Sequence, residues 1–240
     1  MTASLIKQPN VDQWLVISSD GRVIVRSGKV DIGQRISTAL AAIAAEELDV
    51  TLDRIDMAAV ETGVSPDEGV TSGSNSMQDS GQAIRLAGAT ARQHMIDKAA
   101  AQLEVDPASL EVSDGLIRSR ETNRSITYWD LQGNVPFDIP IDPKVTVKAP
   151  KDYQEVGKPQ AARGLSDLVT GAAEFVHDIV LPGMLHARVV RPPHYHARLN
   201  ALDETICKRI EASGVQVVRN SSHLAVAGEA FLFPEQPRGG

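Results

Sequence analysis

The sequence predicts an α+β protein in two units, and three observations carry that reading. Short β-rich runs alternate with two long, alanine-rich segments of helical period over roughly the first 130 residues. Pro136, Pro140, Pro143, Pro150 and Pro159 then fall within 24 residues and break the pattern. From about residue 164 shorter β-rich runs and one further helical segment resume. Alternation by itself allows an α/β or an α+β class. The α+β form taken here is a mixed sheet with two packed helices, followed by a smaller unit.

In chain order, Trp14-Leu15-Val16-Ile17 and Val23-Ile24-Val25 flank Ser18-Ser19-Asp20-Gly21 and read as a β-hairpin. Ile36, Leu40, Ile43 and Ala44 then recur at helical spacing, which predicts an amphipathic helix over 35–48. Glu46-Glu47 is read as its solvated face. A strand is expected over 53–60, and Gly63, Pro66, Gly69 and Gly73 make 61–76 a loop. Ile84, Ala87, Ala91, Met95 and Ala99 line one face of a second helix over 77–103, which ends at Val105-Asp106-Pro107. Residues 110–112 and 116–117 form another hairpin around Asp114-Gly115, and 127–131 one helical turn. The prolines make 132–163 an extended surface linker, because each fixes φ and removes a backbone donor. Beyond it, strands are expected at 173–176, 185–190, 215–218 and 224–227, and a helix at 203–212 that buries the small side chain of Cys207. The expected organisation is therefore 10–131, the linker 132–163, and 164–240.

Composition excludes several classes. The 240 residues are 42% hydrophobic and 23% charged, enough for a packed core and unlike a disordered or collagen-like chain. A net charge of -7 lacks the electrostatic footprint of a nucleic-acid binder. One cysteine permits no internal disulfide and no Cys-based zinc or iron–sulfur site. The N-terminus carries no apolar stretch of signal-peptide length, and the run 39–45 is too short to span a bilayer. A soluble, cytoplasmic protein without membrane contact is expected.

Two segments have the chemistry of a binding site. Ile32-Gly33-Gln34 precedes the first long helix, where free N–H groups and the positive end of the helix dipole attract an anion. A plain strand-to-helix turn is the competing reading. Thr71-Ser72-Gly73-Ser74-Asn75-Ser76 precedes the second helix with four hydroxyls, one amide and one glycine. In the plainer reading Ser74 or Ser76 caps the helix, but a cap needs only one hydroxyl. The segment is not a Walker loop, since the Gly-Lys-Ser/Thr ending is absent. His177, His186, His194, His196 and His223 invite a metal reading, with His194 and His196 on one face of an extended segment. Pro192-Pro193 favours a loop there and no acidic ligand stands at clear spacing, so no metal site is assigned. No catalytic residue is assigned either.

At these residues the sequence resembles a known family. GKVDIGQRISTALAAIAAEELDV (28–50) and SPDEGVTSGSNSMQDSGQAIRLAGATAR (65–92) resemble the molybdopterin-binding large subunit of the xanthine dehydrogenase/aldehyde oxidase family. The likeness is strongest to the bacterial branch with isoquinoline and nicotinate-type hydroxylases and aldehyde dehydrogenases. VTGAAEFVHDIVLPGMLHARVVRPPHYHARLNALDE (169–204) resembles the a/b hammerhead domain of the same subunits. Cofactor segment before hammerhead is the order of a permuted member. The resemblance implies that Ile32, Gly33, Gln34, Thr71, Ser72, Gly73, Ser74 and Ser76 contact a molybdopterin cofactor, in bacteria usually the cytosine dinucleotide form. Where the family often has a second glycine, Arg35 stands.

The departures are as informative. The family's Gly-x-Gly-Glu-type motif with its glutamate base, and the other cofactor segments, have no counterpart in the chain, and the likeness stops before 230–240. The resemblance thus implies an N-terminal piece: a truncated product, half of a split subunit, or a fragment with a non-native end. It implies hydroxylation of an aldehyde or N-heteroaromatic compound with water-derived oxygen, iron–sulfur clusters on a partner subunit, and the remaining large-subunit segments as further partners. The isolated chain is expected to be inactive, and apolar faces meant for absent domains are expected to drive self-association. A non-catalytic binding or assembly module, or an inactive remnant, is the alternative.

Overall fold

The computed structural model of the chain describes residues 2–229. It divides into two units, Met1–Ser166 and Asp167–Gly240. The expected end of the hammerhead pattern at 230–240 lies outside the described residues.

The first unit is built on a three-stranded mixed sheet. Strands β1 (Leu15–Ile17) and β2 (Val23–Val25) pair antiparallel, and β2 pairs parallel with β3 (Ile55–Met57). A short helix α1 (Ala3–Lys7) precedes them, and α2 (Ile36–Leu48) makes the β2-to-β3 crossover that a parallel pair requires. Helix α3 (Gln82–Leu103) lies against α2 and opens with a π-turn, Met77–Gly81. Leu15, Ile17, Val23 and Val25 alternate inward, as period 2 dictates. They meet Leu40, Ala44 and Leu48 of α2 and Ile84, Ala87, Ala91, Met95 and Ala99 of α3, all fully buried. Small residues let the helices close up: a Cβ built on Gly88 would lie 3.0 Å from Glu47 Cβ.

A second small sheet joins β4 (Leu110–Ser113), β5 (Leu116–Ser119) and β6 (Ser125–Thr127), all antiparallel. Helix α4 (Tyr128–Gln132) follows, with Thr127 and Asp130 forming a reciprocal capping box. The buried Tyr128 hydroxyl donates to the Leu48 carbonyl at 3.0 Å and ties this sheet to the end of α2.

Three expectations are corrected in this unit. After Gln132, the last residue of α4, the stretch to 163 carries no helix or strand beyond the single turn Pro150–Asp152, as its prolines dictate. It is nevertheless a strap within the first unit rather than a surface linker, for Phe137 and Ile141 are buried in the core. Its unpaired backbone donors find side chains instead. Asp12 accepts Phe137 N and Asp138 N, each at 2.7 Å, and Thr38 Oγ1 accepts Arg163 N at 3.0 Å. Secondly, Glu46 and Glu47 are not a solvated face; they are 2% and 1% exposed because the strap covers them. Thirdly, the strand expected over 53–60 shrinks to β3, preceded by the 3-10 turn Leu52–Arg54.

The second unit, beginning within α5 (Leu165–Thr170), is an antiparallel sheet of order β7 (His186–Val189), β9 (His223–Gly228) and β8 (Gln216–Asn220). Helix α6 (Glu204–Glu211) sits beside β8, capped by the Asp203 carboxylate on Thr205 N and Ile206 N. The strand expected at 173–176 does not form: Asp178 accepts Phe175 N at 2.9 Å and folds a 3-10 turn, Val176–Asp178, in its place. Cys207 is half-exposed rather than buried. Of the described apolar side chains in this unit only Ala225 and Ala227 are buried.

Candidate functional site

The two loops singled out in the sequence follow the parallel strands β2 and β3 and enter helices, and the structure lays their first halves side by side. Gly28 makes the approach possible, since a Cβ there would fall 2.1 Å from the Pro66 carbonyl. Val30 N donates to Thr71 Oγ1 at 3.0 Å, a direct tie between the Ile32-Gly33-Gln34 loop and the Thr71–Ser76 loop. Arg35, at the start of α2, and Met77, which opens the π-turn, line one groove of about 360 Å³ with Ala39, Ile43, Val156 and Lys158. Both helix starts therefore border the same apolar space.

Within the first loop, Ile32 is 70% exposed and Gly33 takes a φ of +106°, with open space where a Cβ would stand. Only glycine adopts that conformation cheaply. Gln34 does not reach outward: its amide donates to Val30 O at 2.9 Å and accepts Ile32 N at 2.6 Å. The α2 N-terminus already holds an internal anion, because Asp31 accepts Ser37 N at 3.3 Å and the Ser37 hydroxyl. Arg35 adopts a left-handed conformation at φ +55° with no capping bond.

The second loop departs from a simple cap. Ser76 occupies the N-cap position of the π-turn in helical geometry and makes no side-chain cap bond. Ser74 has φ +58° and Gly73 +65°, so the chain reverses tightly just ahead of the turn. Asn75 N reaches Ser72 O at 3.4 Å. Among the described residues no hydrogen bond engages the hydroxyls of Ser72, Ser74 or Ser76. No hydrogen bond joins Gly33 or Gln34 to Ser74 or Ser76 directly; the link runs through Val30 and Thr71. Among the described residues no group of three or more His, Cys, Asp or Glu side chains could hold a metal ion; His186 and His223 lie on β7 and β9, and His194 and His196 in an irregular segment.

Sequence reasoning missed the groups beneath the loops. Lys29 is 6% exposed, and its ammonium donates to Glu68 O at 2.8 Å and Val70 O at 3.2 Å. Glu68 in turn accepts Gly28 N at 2.8 Å, Ser27 Oγ at 3.1 Å, Ser4 Oγ at 2.9 Å and the Ser80 hydroxyl. A lone Lys and a lone Glu 39 positions apart carry no local signal that they meet.

Residues 3–170 match the family of molybdopterin cofactor-binding domains. The chain belongs to that family, among the molybdopterin-binding subunits of the xanthine dehydrogenase/aldehyde oxidase type. It is 34% identical over 189 residues to one subunit of the nicotinate dehydrogenase of Pseudomonas putida, covering 79% of this chain and 16% of that one. It is 26% identical to the beta subunit of isoquinoline 1-oxidoreductase of Brevundimonas diminuta, covering 92% of this chain and 33% of the relative. The chain thus spans a third or less of the length of these curated relatives. Among solved structures, CO dehydrogenase from Oligotropha carboxidovorans aligns with 49% of this chain and 15% of its own at 32% identity and a TM-score of 0.42. Among the described residues no helix is long and apolar enough to cross a membrane.

Proposed function

We propose that this chain forms part of the molybdopterin site in the large subunit of a molybdenum hydroxylase. The observation that carries the reading is the Val30–Thr71 tie, which brings the two glycine- and hydroxyl-bearing loops together where α2 and the π-turn begin. Ile32, Gly33 and Gln34 would face the cofactor from one side, and Thr71, Ser72, Gly73, Ser74 and Ser76 from the other. The donor set fits an anion: three uncommitted hydroxyls and two left-handed glycines with no bulk to exclude a phosphate. When bound, the cofactor supplies the redox centre for hydroxylating an aldehyde or N-heteroaromatic carbon with water-derived oxygen. This chain's residues grip and orient the phosphate-bearing end, in the cytosine dinucleotide form.

The remaining large-subunit segments would bring the general base, and an iron–sulfur subunit the route for electrons. The chain alone is accordingly inactive, works in the cytoplasm, and self-associates through its uncovered apolar faces. One feature favours the competing reading of a non-catalytic assembly module or an inactive remnant: Gln34 spends its amide inside its own loop.

Molybdenum analysis of the chain isolated from its own cells decides between them. Each hydroxyl lost from a phosphate site weakens it by roughly 0.5–1.5 kcal/mol, more for a charged partner. Ser74→Ala with Ser76→Ala should lower molybdenum content at least several-fold while the circular dichroism spectrum stays unchanged. Full molybdenum content in the double variant, or none in the wild type, counts for the module. Turnover of aldehydes or N-heterocycles by the pure, molybdenum-loaded chain would overturn its inactivity.

A further inference from the structure

We propose that Lys29 and Glu68 are positioning residues that lock the two cofactor loops at a set spacing without touching the cofactor themselves. The inference rests on the cofactor reading above. Its basis is a crossed pair of contacts. Lys29, in the first loop, reaches across to the carbonyls of Glu68 and Val70 in the second. Glu68, in the second loop, reaches back to the backbone N–H of Gly28 at the root of the first. The same carboxylate holds the Ser80 hydroxyl in the π-turn, and so anchors the start of the helix that follows the hydroxyl-rich loop. The two residues therefore bracket the Val30–Thr71 tie from below.

The chemistry suits a spacer better than a ligand. The Lys29 side chain is buried and its ammonium is directed to two carbonyls two positions apart in the chain, which fixes the backbone of 68–70 rather than a mobile side chain. Glu68 is surrounded by four donors from three segments, Ser4, Ser27-Gly28 and Ser80, so its oxygens are spent on the protein. Charge-assisted bonds of this kind are the strong ones, and each removes freedom from a loop that has no regular secondary structure to hold it.

The test uses the full chain as wild type, Lys29→Met, Lys29→Arg, Glu68→Gln and the Ser74→Ala/Ser76→Ala double variant. Hydrogen–deuterium exchange is read by segment, and molybdenum content is measured on chains isolated from their own cells. Loss of a charge-assisted bond predicts exchange about tenfold faster over 28–34 and 66–76 in Lys29→Met and Glu68→Gln, with α2 and α3 unchanged. Molybdenum content should fall roughly fivefold or more in both variants, and Lys29→Arg should restore loop protection and metal. Unchanged loop exchange, faster exchange throughout α2 and α3, full molybdenum content with loosened loops, or an arginine variant as loose as the methionine one would each overturn the proposal. The serine double variant keeps the failures apart. If it loses molybdenum with wild-type loop exchange while Lys29→Met keeps its metal, the spacer is wrong and the cofactor reading stands. If it keeps its metal too, the cofactor reading is wrong.

Discussion

Individual side chains hold this chain's irregular segments, and Glu46 shows how. Its carboxylate accepts Val156 N at 3.0 Å, Glu155 N at 2.7 Å, Gln154 N at 2.8 Å and Lys148 Nζ at 3.1 Å. Burial would push its pKa up; the N–H groups of Val156 and Glu155, the Lys148 ammonium and the Gln154 N–H outweigh burial and hold it below the usual carboxylate range. A depressed folded pKa stabilises above the unfolded value and loses that stability as pH falls through the folded value. Urea midpoints should therefore drop as acid passes the ordinary carboxylate range, and Glu46→Gln should flatten that drop. Removing one partner of a buried charged pair costs about 3–5 kcal/mol. Lys148 keeps Asp49 at 2.5 Å, so Glu46→Ala should sit near the lower end of that range. Arg22 and Asp56 make a contrast: the pair is close, but both side chains are more than 40% exposed. Solvent and side-chain entropy cancel most of such a pair, so Arg22→Ala should lower the unfolding free energy from urea titration by less than about 1 kcal/mol.

Among the elements, two close approaches decide how helices and loops fit. Gly88 on α3 faces Glu47 Cβ and Leu48 Cγ of α2, at 3.0 and 3.7 Å from a built Cβ. A larger, branched side chain must push the helices apart, and overpacking of this kind costs typically 1–3 kcal/mol. Gly88→Val should lower the unfolding free energy from urea titration by an amount in that range. Gly28 plays the same part between the loops, where the obstruction is the Pro66 carbonyl, a backbone atom that cannot swing aside. Gly28→Ala should therefore break the Val30–Thr71 tie and expose the Val30 amide to exchange, leaving α2 and α3 protected. Slow Val30 exchange in that variant would mean that the loops are not held by this approach.

Across the whole molecule, the two units differ in what they bury. The first has one continuous core running from Leu5 to Ile141. The second leaves Val176, Val180 and Tyr195 at 83%, 77% and 98% exposure and buries two alanines among its described residues. Local stability follows buried apolar contact, so amides of 167–229 should exchange far faster than those of α2, α3 and β1–β3. Uncovered apolar surface of this extent also favours association. Sedimentation velocity should show a weight-average mass that rises with concentration; a constant monomer mass would count against self-association.

The amino-acid order alone determined most of the elements. Period and turn chemistry are local: the hairpin around Asp20-Gly21, the core stripe of α3 and the capped α6 are all written in residues a few positions apart. The family was legible for the same reason, since each motif is contiguous. What only the tertiary structure decided is whatever joins distant positions. Glu46-Glu47 reads as a surface pair until the strap from more than 100 residues later closes over it. The strap reads as a spacer because proline forbids regular structure, yet side chains of α2, α3 and Asp12 take up the donors that a sheet or helix would have used. The candidate site divides along the same line. Its glycines and hydroxyls are visible in sequence, because they stand in two contiguous runs. The Lys29–Glu68 crossing that sets the loops side by side is a contact between segments, and no local pattern encodes it.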